Sequence, residues 1–112
     1  MEKNNIWNFT NDSKYEKTGE GVERAILCYA DELMVVENHF KKGAVGALHH
    51  HPHTQATYVL EGAFEFEVDG EKHVVRKGDV LLKRDNIEHG CVCLEEGKLL
   101  DIFTPMREDF IK

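Results

Sequence analysis

The sequence predicts an all-β fold, a closed barrel or two-layer sandwich, on three observations. Apolar and polar residues alternate with period two in short segments, which suits strands with one face buried. Turn residues punctuate those segments at regular intervals, as in compact all-β domains. The chain has 112 residues, enough for one domain with a self-supporting core and too few for two.

The elements follow in order. Residues 1–20 read as a polar N-terminal arm, and residues 21–112 as the barrel domain. Ile6, Trp7 and Phe9 of the arm need burial, against either a second subunit or their own barrel. Val22 to Tyr29 is the first strand, and Leu33 to Phe40 follows across the Asp31-Glu32 turn. Gly43 and Gly46 flank a loop before a histidine run. Thr57 to Leu60 is rich in β-formers, and Gly62 is expected to break it. Ala63 to Val68 puts Phe64, Phe66 and Val68 on one face, with Glu65 and Glu67 on the other. Asp69-Gly70 is a two-residue hairpin signal. His73 to Arg76, Val80 to Lys83, Cys91 to Leu94 and Leu99 to Phe103 complete the series, and Met106 to Phe110 is expected to add a helical turn.

The formal net charge of −7 argues against a general nucleic-acid or anionic-membrane binder, which needs a basic patch. A small anionic substrate stays compatible, because one Arg and a metal ion can reverse the local sign. Three cysteines without framework spacing suggest a reducing compartment, with Cys91 and Cys93 as buried thiols on one strand face. The polar opening residues do not resemble a signal peptide, and no apolar run is long enough to span a membrane. The expected location is cytoplasmic.

Four of the seven histidines lie in His49-His50-His51-Pro52-His53. On an extended strand His49 and His51 share a face, and His50 points away. Gln55 has the same parity. Two imidazoles one side-chain spacing apart can meet one ion. His89, after the turn-like Asp85-Asn86, can approach from a neighbouring strand. His53 is either an alternative ligand or a group supporting one. His39 and His73 read as ordinary strand residues.

These residues resemble the cupin superfamily. Gly43, His49, His51, Gln55 and Gly62 reproduce its first motif, G-x5-H-x-H-x3-E-x6-G, with Gln55 where Glu is usual. Gly78, Asn86 and His89 resemble the second motif, with Arg84 in place of the usual Pro and Cys93 where Asn is common. The resemblance implies a single-domain cupin, the jelly-roll barrel or double-stranded β-helix. It also implies one divalent metal ion (Zn, Ni, Mn, Fe or Co) on His49, His51, Gln55 and His89. A narrower likeness is to the pectin-degradation cupins of the KdgF type. It rests on His49 to Gln55, on Tyr58-Val59-Leu60-Glu61-Gly62, and on the tail from Leu100 to Phe110. That family implies linearisation of 4,5-unsaturated monouronates from pectin or alginate breakdown, and a homodimer.

The tail supplies the remaining candidates. Leu99, Asp101 and Phe103 share a strand face. An Asp in so apolar a strand either faces solvent or works in the barrel mouth as a general acid/base. Phe103 would then wall the sugar ring, and Arg107 would hold its carboxylate, unless Arg107 only pairs with Glu108 or Asp109. Likeness to the family favours Asp101 as catalytic residue, with Phe103 and Arg107 binding substrate. Replacing Glu by neutral Gln55 leaves the ion's double charge uncompensated, which suits Lewis-acid work on an anionic sugar acid. Two other readings fit the same barrel: a cupin dioxygenase acting on a small organic substrate, and a non-catalytic sugar- or metal-binding cupin.

Overall fold

The computed structural model describes residues 2–111. Eight strands and one short helix follow a 3-10 turn at Thr10–Asp12. The strands are β1 (Glu16–Gly19), β2 (Val22–Ala30), β3 (Leu33–Phe40), β4 (Val45–His49), β5 (Thr54–Val68), β6 (Glu71–Arg76), β7 (Val80–Lys83) and β8 (His89–Thr104), with α1 at Glu108–Ile111. All pairings are antiparallel, in the order β1-β2-β3-β8-β5-β6, while β4 joins β8 and β7 joins β5. Each strand is thus paired along its length, and curling the sheet over itself encloses the inward faces.

The two long strands organise the molecule. Gly62 does not end a strand; β5 runs through it, and Thr57–Leu60 and Ala63–Val68 are two halves of one element. The same holds for Cys91–Leu94 and Leu99–Phe103, both within β8. Register shifts between Val59 and Glu61, and again to Ala63, mark the bend. Gly62 sits at φ +82°, where a Cβ would lie 2.5 Å from the Glu96 carbonyl oxygen. The glycine therefore lets β5 bend against β8 rather than stop. On its first half β5 pairs β7, and on its second half β6.

Alternation along these strands divides the interior into two apolar clusters. The larger centres on Phe40, Val59, Phe64, Phe66, Cys93 and Leu99. The smaller joins Met34, Val36 and Phe103, with Met106 and Phe110 of the tail packed on it. Cys91 and Cys93 are buried free thiols, and burial pushes the Cys91 thiol up to about 12. Asp69-Gly70 makes the hairpin turn with both residues at positive φ. The arm joins its own barrel through β1, which pairs β2, and through the Asn4 N–H, which donates to the Tyr29 carbonyl at 2.8 Å, but Ile6, Trp7 and Phe9 are all more than half exposed.

Candidate metal centre

Polar side chains from β3, β4, β5, β7, β8 and the β4–β5 loop gather at one site. His49 ends β4, His89 opens β8, and the two pair across the register. His51 lies in the short loop between β4 and β5, not on an extended strand. The chain nevertheless returns its ring 5.7 Å from that of His49 and 5.1 Å from that of His89. His49 and His89 rings are 4.4 Å apart. One ligand nitrogen from each of His49, His51 and His89 falls within 4.8 Å of the others, so this three-His group could hold a metal ion. His50 points elsewhere, toward the Asn86 side-chain oxygen at 3.0 Å.

The donor set fits such an ion. The Nδ1 atoms of His49 and His89 face the Ala47 and Ile87 carbonyls at 2.8 and 3.0 Å, which fixes both rings and presents Nε2. His89 Nε2 is buried and has no hydrogen-bond partner among the described residues. Such an orphan is expensive unless something else meets it, and a cation does so. His51 Nε2 lies 2.9 Å from Gln55 Oε1, close to the spacing of neighbouring ligand atoms around an ion bonded at about 2.1 Å. Burial, then the Lys83 charge, lowers the His89 imidazole to about 3. Burial also lowers that of His51. Both rings are therefore neutral at neutral pH, as ligands must be.

Gln55 connects this group to the buried Asp101. Its amide nitrogen donates to Asp101 Oδ1 at 2.8 Å and to Thr57 Oγ1 at 3.2 Å. Thr57 donates to the same carboxylate oxygen, and Asn38 Nδ2 donates to Oδ2 at 2.7 Å. Asp101 thus faces the interior and not solvent. Phe103, two residues on, packs edge-on to His51 at 5.7 Å between centroids. Arg107 reaches the same region from the tail. Its guanidinium stacks over Phe103 and Phe110 at 5.3 and 4.4 Å and donates to both carboxylate oxygens of Asp109. The pairing with Asp109 is therefore present, though Arg107 is also largely buried against the aromatic rings. His53 stacks on His51 without joining the three-His group.

A cavity of about 180 Å³ opens among His49, Gln55, His89, Asp101, Phe103 and Arg107. Lys83, Thr57 and Asn38 also belong to this polar belt, and reading the sequence for ligands overlooked them. Strand parity was their signal: Thr57 shares a face with Gln55, Lys83 with Leu81, and Asn38 with Val36 and Phe40.

The cupin domain family model matches residues 36–103. The chain is 43 % identical over 102 residues to the pectin degradation protein KdgF of Dickeya dadantii (strain 3937), covering 89 % of this chain and 93 % of that protein. Among solved structures, an RmlC-like cupin from Shewanella frigidimarina NCIMB 400 superposes with TM-score 0.93 at 40 % identity. It covers 98 % of this chain and 99 % of its own. KdgF from Halomonas sp. superposes with TM-score 0.89 at 35 % identity, covering 93 % and 98 %.

Proposed function

The chain belongs to the cupin domain family and is a homologue of KdgF, and from that premise we propose that it is a metal-dependent enzyme linearising 4,5-unsaturated monouronates from pectin or alginate breakdown. The observation that carries this reading is Gln55, whose oxygen faces His51 while its amide nitrogen donates to buried Asp101. One residue thereby ties a metal-ligand set to a carboxylate suited to proton transfer.

In this reading His49, His51, Gln55 and His89 hold one divalent ion. Bound there, the ion supplies Lewis-acid polarisation of substrate oxygens. Arg107, whose Nε and Nη2 serve Asp109, offers the uronate carboxylate its remaining Nη1, and Phe103 lies against the ring and keeps water from it. Asp101 takes and returns protons, oriented by Thr57, Asn38 and Gln55. The C1–O5 bond breaks as the C1 hydroxyl loses its proton and O5 gains one. The enol so formed then passes a proton to C4, leaving a linear 4-deoxy-5-keto uronate. Atoms and electrons balance without oxidant or reductant.

The test is the ultraviolet absorbance of unsaturated galacturonate with purified protein under anaerobic conditions, with and without chelator. Loss of the C4–C5 double bond that chelator suppresses is expected. No change with verified bound metal would refute the reading, and a requirement for dioxygen would replace it with a dioxygenase. Asp101→Asn should abolish turnover and keep the metal.

A further inference from the structure

Lys83 is the charged residue of the interior that the proposed reaction leaves without a role. It ends β7, where alternation turns Val80 and Leu82 outward and Lys83 inward at 2 % exposure. The register sets it across from Gln55. Its ammonium stands 5.0 Å from the Phe66 ring centroid, and its side chain lines the same cavity as His49, Asp101 and Arg107. Among the described residues no carboxylate oxygen lies within 4.0 Å of it. Asp101 is instead committed to Gln55, Thr57 and Asn38.

An interior amine with no carboxylate in ion-pair range is costly to charge, and an apolar residue at the inward end of β7 would suit the core better. Burial indeed lowers the Lys83 amine below its ordinary value, with Asp101 opposing that shift. An anion entering the cavity would supply the missing counter-charge. Arg107 cannot stand in for Lys83, because it is anchored on Phe103 and Phe110 in the smaller cluster, while Phe66 belongs to the larger one.

We propose that Lys83 is a substrate-binding residue whose ammonium meets one oxygen of the sugar-acid carboxylate whose other oxygen faces Arg107, across the cavity that both line. The site then has two cationic contacts, Lys83 and Arg107, which select a charged sugar over a neutral one. This assignment rests on the uronate reading above for its ligand class, and its test separates the two.

Metal-loaded wild type, Lys83→Met, Lys83→Gln and Lys83→Arg are titrated calorimetrically with D-galacturonate, a sugar acid that lacks the reacting double bond. D-galactose serves as uncharged control. Lys83→Met and Lys83→Gln should weaken galacturonate binding about tenfold or more, and Lys83→Arg should restore part of it, with galactose unchanged. Lys83→Met should also melt about 4 °C or more above wild type, since it removes an unpaired interior charge. Equal galacturonate affinity in wild type and the uncharged variants, equal loss for both sugars, or no galacturonate binding by wild type overturns the assignment. So does a lower melting temperature in both uncharged variants, the mark of a merely structural group. If galacturonate binding depends on Lys83 but unsaturated galacturonate is not turned over, the proposed reaction falls and Lys83 keeps its role. Turnover with an unchanged KM in Lys83→Met gives the converse.

Discussion

Gln55, Asp101 and His89 carry the site at the level of single residues, and each does so through a different contact. His89 contributes an orphaned, buried Nε2, so His89→Ala should abolish stoichiometric metal binding by elemental analysis. His50→Ala should leave it intact, since His50 faces Asn86 outside the group. Retention of full metal by His89→Ala would sink the three-His assignment. Residue type and spacing made His49, His51 and His89 legible, because imidazoles two apart with a distant third form a recognisable pattern. Lys83 had no such pattern around it. A single lysine at the end of a short strand reads as a solvated surface residue until the sheet closes over it.

Elements rather than residues set how closely those imidazoles approach. Strand β4 lies so near β8 that a Cβ at Gly90 would fall 2.7 Å from the Gly46 carbonyl oxygen. Gly90→Ala should push the strands apart, separate His49 from His89, and weaken metal binding about tenfold or more in a competition titration. Unchanged affinity would mean that β4 shifts without moving His49. At the β5 bend, Gly62→Ala should cost about 2 kcal/mol or more in urea unfolding, because the left-handed backbone and two carbonyl oxygens both oppose a side chain. Strands β2, β3 and β7 were readable from alternation alone. The continuity of β5 and β8 was not, since a glycine that ends a strand and one that bends it look alike in sequence.

For the molecule as a whole, metal, protons and folding are linked. In the metal-free protein the folded-state values of His89 and His51 lie below the ordinary 6.5. Below about pH 6.5 the unfolded chain therefore binds protons that the folded chain refuses, and stability falls as pH drops. The urea midpoint of chelator-treated protein should be lower at about pH 5 than at pH 7. A midpoint that rises on acidification would contradict the burial of these rings. Added metal should oppose the loss, stabilising by about 2.7 kcal/mol when free ion is a hundredfold above its Kd. No helix of the described residues is long and apolar enough to cross a membrane.

Alternation, turn chemistry and the histidine spacing were enough to identify an all-β domain and a three-His group that could hold an ion, because period-two patterning and imidazole chemistry are local properties of the chain. Whether Asp101 faced solvent or interior, that Arg107 met both Asp109 and the aromatic rings, and that Lys83 entered the cavity were decided only when β8 lay between β3 and β5 and β7 closed on Gln55. Those outcomes depend on which strands become neighbours. Neighbours brought together from distant parts of the chain, such as Gln55 with Lys83 or Asn38 with Asp101, are chosen by packing of the whole sheet, not by the sequence beside each residue.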